Sequence, residues 1–439
     1  MLKSIGITHS KEKERKTDMV SISFPPEWGS EPVPRNAKNL NFLDYFFLWS
    51  SLGVGLLVFL AGSYLVPGLS LVEVFVVSLA GSVVGSLLLA SAGLIGSRYG
   101  LPTMVSLRAV MGKKGSFIPT FFNIVQLVGW TAFEIMIMSQ AASNISGPFL
   151  GWFTGYFWVT IFGIFCGLLA IGGPLVVVRQ WLEKFAVWII YLLAIWMTYQ
   201  IFSSPDFVVS VFKPGDGSMP FLLALDLVIA MPISWWPLIS DYNRFSKDEK
   251  SSFYGTFLGY TLSNTWFYFI GAALITVLGA KDIISSILGL LFGSLAMILI
   301  LVDETDNGFA DIYSAAVSFQ NIFPKVKQWK FITFVTVVGT ILASTLPLMQ
   351  YENFLLMIGA LFVPLLGVLF SDYIFVRNQN YSIDEFYEKA ASVKIEAIIS
   401  WILGIVVYFF IYSQCPAIGA SLPAFGASAI AHFISGKLK

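Results

Sequence analysis

The chain has 439 residues, 56% of them hydrophobic and only 12% charged, with a net charge of zero. Soluble domains carry about 25% charged residues, so this composition argues against a water-soluble globule, and the balanced charge offers no basic face to nucleic acid. The two cysteines, Cys166 and Cys415, lie in or beside apolar runs and suggest neither a disulfide framework nor a paired-cysteine metal site.

Residues 1–41 are polar, with KEKERK at 11–16 and prolines at 25, 26, 32 and 34. They read as a disordered cytoplasmic tail rather than a signal peptide. A helix needs about 20 apolar residues to cross a bilayer. Such runs fall at 42–66, 70–96, 117–143, 152–172, 185–203, 220–240, 253–280, 283–313, 331–348, 354–376, 395–413 and 423–436, the last one short. The expected fold is an all-α polytopic membrane protein of twelve transmembrane helices. With a cytoplasmic N-terminus, the outward loops hold only Lys213 and Lys281 of the 26 Lys and Arg residues. Losing one span would invert every later loop, so the positive-inside rule supports both count and orientation. Both termini are then cytoplasmic, and the expected location is the plasma membrane.

The first run contains Gly53, Gly55 and Gly62, and the sixth contains Pro232 and Pro237 around Ser234. Proline removes a backbone donor, and freed backbone groups at membrane depth must line a cavity or be buried in protein. Runs one and six each begin a group of five, and five is odd, so the second group inserts upside down. Interrupted helices at matching places in two inverted repeats point to a transporter site at the bilayer midplane. The expected organisation is the tail (1–41), a first repeat (42–203), a second, inverted repeat (220–376) and two additional helices (395–436).

In the third run, Gln126, Trp130 and Glu134 recur every four residues and share one helix face. A tryptophan gives a flat stacking surface, and a carboxyl beside it can read the edge of a ring. An ionisable group at that depth costs at least about 2.5 kcal/mol, which marks it for function. Trp235 and Trp236 of the sixth run could close the other side. The eighth run ends in LVDETDNGFADIY (301–313), where Asp303, Glu304, Asn307 and Asp311 fall within about 100° of arc. Thr305 points the opposite way. This arc reads either as one wall of a site or as a helix reaching cytoplasmic water. Asp303 and Asn307 are the residues expected to lie deep, and Asp311 the one expected to be wet.

Five stretches in order resemble the nucleobase–cation symporter-1 family: RYGLPTMVSLRAVMGKKGSFIP (98–119), NIVQLVGWTAFE (123–134), ISWWPLISDYNRF (233–245), DIYSAAVSFQNI (311–322) and SDYIFVR (371–377). The nearest branch is that of cytosine permeases and hydroxymethylpyrimidine transporters. The resemblance implies a LeuT-type five-plus-five inverted repeat with two extra C-terminal helices. It implies symport of a planar heterocycle, such as cytosine, hydroxymethylpyrimidine or a purine base, with Na⁺ or H⁺. Trp130 matches the family's stacking tryptophan, Glu134 a polar position often held by glutamine, and Trp235 or Trp236, with Trp235 favoured, the sixth-helix aromatic. Asn307 or Asp311 corresponds to the eighth-helix substrate side chain, and Gln126 completes the face. The implied cation site uses first-helix carbonyls near Ser51 and Gly53 with Asp303 and Thr305. Carboxylates stand where the family has small hydroxyl residues, which leaves the cation open: a carboxylate can hold Na⁺, or it can carry a proton, since burial favours the neutral form.

No cofactor is expected beyond Na⁺ as a possible coupling ion. The expected partners are the heterocycle, the cation and the lipid bilayer, with no nucleic acid and a monomeric chain. A transporter of the same fold for an amino acid or a cationic amine is the alternative. The two histidines, His9 and His432, form no paired motif, so an enzyme is not expected.

Overall fold

A computed structural model describes residues 27–174, 187–279, 282–347 and 350–437. The KEKERK run, Arg179, Lys184 and Lys281, on which part of the loop-charge reading rests, fall outside the described residues.

Among the described residues the chain is helical apart from one isolated bridge between Leu40 and Ser246. Asn41 opens α1 (Phe42–Ser51) with a reciprocal capping box: its side chain accepts the Leu43 and Asp44 amides, and Asp44 accepts the Asn41 N–H. α1 stops at Leu52, and α2 (Leu56–Ser63) resumes at an angle of 59°. A second capping box, Ser70 with Glu73, starts α3 (Leu71–Tyr99). Residues 97–116, between the second and third predicted runs, are not merely a connecting loop: they hold α4 (Thr103–Met111), buried along its length. Then come α5 (Phe117–Leu150), α6 (Thr154–Gly172), α7 (Val187–Phe202) and the short α8 (Phe207–Phe212).

The sixth run is broken as its prolines require. α9 (Phe221–Ser234) gives way to a tight turn at Trp236–Leu238 before α10 (Ile239–Asn243). α11 (Glu249–Leu278) follows, then α12 (Ile283–Leu288) and α13 (Gly293–Ile322). Here the expected boundary is corrected. The eighth span does not run 283–313: the chain breaks after Leu288, Phe292 takes φ 57°, and the long helix extends to Ile322. The acidic stretch therefore lies in the middle of α13. α14 (Gln328–Ala343), α15 (Tyr351–Phe370, continued by a wider turn to Val376), α16 (Ile395–Gln414) and α17 (Ser421–Lys437) complete the chain.

Each of the twelve predicted runs thus contains a helix. Among the described residues, six segments are singly long and apolar enough to cross a membrane, α1 with α2 makes a seventh as a bent pair, and α7 and α14 are shorter apolar helices.

The helices sort into three packed groups. α1, α2 and α3 lie along α11, and α9 lies on α3; α5 and α6 lie along α13 and α14. α16 and α17 pack on α15. His432 of α17 meets Asp372 at the end of α15 (3.0 Å), and Tyr381 donates to the same carboxylate (2.6 Å). Far from the break, Arg108 of α4 holds the end of α13, donating to the side chain and carbonyl of Asn321 (2.8 and 3.1 Å).

α2 and α11 touch backbone to backbone. A Cβ on Gly62 would lie 2.1 Å from the Tyr268 carbonyl oxygen, and one on Gly271 would lie 2.1 Å from that of Phe59. Such small-residue contacts let membrane helices approach closely. Gly62→Ala is expected to push these helices apart and cost about 1–3 kcal/mol, the usual range for overpacking. Gly426→Ala, which meets open space, is the control. Thermal unfolding of both variants in detergent checks this, and equal midpoints would refute it.

Candidate functional site

The break in the first helix leaves backbone groups without helical partners, and α13 supplies them. The Leu56 N–H, the first of α2, points at Glu304 and lies 2.9 and 3.1 Å from its two oxygens. Asn307 Nδ2 donates to the Val54 carbonyl (3.0 Å). Ser51, the last residue of α1, donates its hydroxyl to Asp303 (3.0 Å). The positive end of a helix dipole favours an anion, so Glu304 sits where a buried carboxylate is stabilised. Gly55 permits the approach. Its φ is +156°, and a Cβ there would lie 2.9 Å from Glu304 Oε1 and 3.1 Å from Asn307 Nδ2.

α5 brings the second wall. The Glu134 carboxyl comes within hydrogen-bonding reach of the Glu304 carboxyl, while its Oε2 is buried without a partner. Two carboxyls can share a hydrogen bond only if one carries a proton. One turn away, Trp130 meets Tyr351 and Phe354 of α15 edge-on, at 5.8 and 5.3 Å between centroids. A further turn down, Gln126 Nε2 donates to Asn123 (2.7 Å), and Gln126 Oε1 is buried and unpartnered.

The broken sixth helix supplies the aromatics on the other side. Trp235 is half-buried and stands edge-on to Trp49 at 6.2 Å. Trp236 is fully buried, with its indole N–H on the Phe362 carbonyl (2.9 Å), the environment of a packing residue. Tyr260 of α11 packs against Trp49 at 6.2 Å. Glu134 stands within electrostatic reach of both Tyr260 and Tyr351.

The structure therefore gathers Glu134, Asn307, Asp303 and Ser51 at the first break; Trp130 lies one turn along α5 against α15, Gln126 lies a turn further, where its partner Asn123 meets Pro237 and Ser318, and Trp235 stands on the aromatic side. It separates two others. Thr305 donates to its own helix at Val302 and lines an apolar groove with Trp158, Phe162 and Leu301, away from Ser51. Gly53 faces Ser263 of α11 rather than α13. Asp311 is not wet: it is 2% exposed, because α13 continues for eleven more residues beyond it. Sequence reasoning missed Glu304 as a site residue, along with Asp306 and Trp49. Glu304 was visible as a member of the polar arc, but nothing in the sequence assigned it to the Leu56 amide.

Charge is the unusual quantity here. Glu134, Asp303, Glu304, Asp306 and Asp311 are all at most 4% exposed. The ion pairs among the described residues lie elsewhere: Arg98–Glu249, Arg377–Glu385, Lys389–Asp384 and His432–Asp372. Asp303 Oδ2 and both oxygens of Asp306 are buried with no hydrogen-bond partner. Buried unpaired carboxylates are too costly to persist, so these groups hold protons or face a cation.

Residues 32–433 match the family model described as a permease for cytosine/purines, uracil, thiamine and allantoin. The hydantoin permease of Microbacterium maritypicum is 23% identical over 364 residues, covering 77% of this chain and 74% of that one. The cytosine permease of Escherichia coli (strain K12) is 24% identical over 369 residues, covering 79% and 81%. The allantoin permease of Bacillus subtilis (strain 168) is 25% identical over 366 residues, covering 75% and 74%. In fold, the chain is similar to the nucleobase-cation-symport-1 transporter Mhp1 in a closed conformation with bromovinylhydantoin bound (TM-score 0.81, 19% identity, 94% and 95% covered). A Na⁺-coupled sialic acid symporter in an outward-open state matches more distantly (TM-score 0.64, 13% identity, 92% and 91% covered).

The two neighbouring tryptophans should part company on mutation. Trp236→Ala is expected to cost about 3–5 kcal/mol of stability, as for large-to-small changes in a core. Trp235→Ala should cost clearly less. Unfolding midpoints compared in one detergent check this, and equal losses would contradict it.

Proposed function

This chain belongs to the family of permeases for cytosine/purines, uracil, thiamine and allantoin, and we propose that it carries a planar nitrogen heterocycle across the plasma membrane together with a cation. It is a membrane permease of the LeuT-type fold and not an enzyme. Cytosine, hydroxymethylpyrimidine and the purine bases are the solutes meant. The observation that carries this reading is the pairing of Trp130 and Glu134 on one face of α5 with the α13 side chains that hold the broken first helix. Trp130 supplies the stacking face, Trp235 the facing aromatic, and Glu134 with Gln126 and Asn307 the polar edge. Asp311, buried further along α13, belongs to the same wall.

The coupling cation sits at the α1–α13 contact. Ser51 Oγ, Asp303 Oδ2 and the Asp306 carboxylate are hard oxygen donors, three of these oxygens buried and otherwise unpartnered, which fits Na⁺ or a proton. Thr305 and Gly53 take no part, given where they lie. Held there, a cation neutralises the acids and fixes the end of α1 on α13. The two terminal segments are cytoplasmic, and the chain works as a monomer.

The acids also favour the second reading, a transporter of the same fold for an amino acid or cationic amine. Competition for uptake separates the two: planar bases compete under the first, amines alone under the second. Radiolabelled uptake into proteoliposomes is expected to respond to an imposed Na⁺ or pH gradient, and uptake indifferent to both would end the symport reading. Trp130→Ala should weaken solute binding roughly 10- to 100-fold, the scale of about 1–3 kcal/mol for a ring stacked on an aromatic side chain. Unchanged binding would remove Trp130 from the site. Asp303→Asn is expected to abolish gradient-driven accumulation while leaving solute binding measurable, and retained accumulation would move the cation elsewhere.

A further inference from the structure

The polar groups of the proposed slot share a property. Their amide donors are already engaged, and their carbonyl and carboxyl acceptors are free. Both oxygens of Glu304 face the Leu56 N–H at the positive end of α2, which favours the negative charge on Glu304 rather than on Glu134. A proton shared between the two carboxyls then belongs to Glu134, whose Oε2 is left buried and unpartnered. Gln126 has its Nε2 on Asn123 and its Oε1 buried and free. Asn307 has its Nδ2 on Val54 and its Oδ1 buried and free. The hydroxyls of Tyr260 and Tyr351, unpartnered as well, can adapt to either role.

The charge has the same sense. The groups facing Glu134 are Glu304, Asp306 and Asp311 of α13, Cys166 of α6, Tyr260 of α11 and Tyr351 of α15. None is basic.

We propose that this slot selects a ring with a donor edge, an amino group beside a ring nitrogen that carries its own hydrogen, as in a planar amidinium-type cation, over an imide edge. The inference rests on the slot being the solute site. An imide flanks its N–H with two carbonyls, which would face free acceptors here and leave both sides unsatisfied. An amidinium-type edge gives a hydrogen to each acceptor and brings positive charge to buried acids that have no basic partner among the described residues. Glu304 is thereby a positioning residue for specificity: by taking the Glu134 proton it keeps the slot-facing oxygen an acceptor.

The test uses the purified full chain in lipid nanodiscs, with 2-aminoimidazole and hydantoin as planar five-membered probes of similar size. Binding is read from tryptophan fluorescence and from displacement of a bound planar base. The wild-type chain should bind 2-aminoimidazole at least tenfold more tightly than hydantoin. Glu134→Gln, which returns a donor to the slot, should bring the two to within about threefold. Glu304→Gln, which replaces the acceptor that orients Glu134, should cut the ratio at least tenfold. If one variant does not fold, the ratio in the other decides. A wild-type preference for hydantoin, or a ratio unmoved in the folded variants, would overturn the inference while leaving the slot in place. If neither ring binds and only flexible amines do, the heterocycle reading itself falls, and this inference with it.

Discussion

The contact between the Glu304 carboxylate and the Leu56 N–H is the constraint on which the site is built. Breaking a helix inside a membrane exposes backbone donors and acceptors where no water can satisfy them. Here one neighbouring helix supplies the missing partners. Over five residues, Asp303, Glu304 and Asn307 reach the last hydroxyl of α1, the first amide of α2 and the carbonyl between them. Remove that carboxylate and the amide of Leu56 is stranded, Glu134 loses its partner, and the first helix loses its registration on α13. The break and the acidic arc are two halves of one device.

That device concentrates acid where no basic side chain answers it among the described residues. The same carboxyls would be ruinous as permanent anions. They are acceptable in a molecule that alternates between filled and unfilled states, because each bound proton, cation or positively polarised ring takes the role that lysine or arginine takes in a static fold. Stability and occupancy are therefore linked: whatever binds this region also stabilises the packing of α1, α5 and α13.

The sequence made much of this legible. Gly53 and Gly55 in one run and Pro232 and Pro237 in another located both interruptions, since each residue type has a backbone consequence that does not depend on context. The four-residue spacing of Gln126, Trp130 and Glu134 placed them on one face for the same reason. Depth was not legible. The run 283–313 ends too early because Gly289 and Gly293, which divide it, sit inside an unbroken apolar stretch, and a helix ending there would bring Asp311 to the water surface. Neither could the sequence tell Glu304 from its acidic neighbours, because its role comes from an amide nearly 250 positions away. Thr305 shows the converse: the helical wheel put it opposite the acids, and there it lies.

The first helix is interrupted, yet both of its halves lean on one continuous partner. α11 meets α1 through Gly255 and Gly259, which lie against the Phe42 and Phe46 carbonyls, and meets α2 through the Gly62–Gly271 contact. Two segments clamped to the same rod cannot swing relative to each other without tearing backbone from backbone. The interruption is thus not an elbow. α1, α2 and α11 are built as one piece, and the seam between that piece and α13 is held instead by side chains, through the bonds that Ser51, Val54 and Leu56 make with Asp303, Asn307 and Glu304.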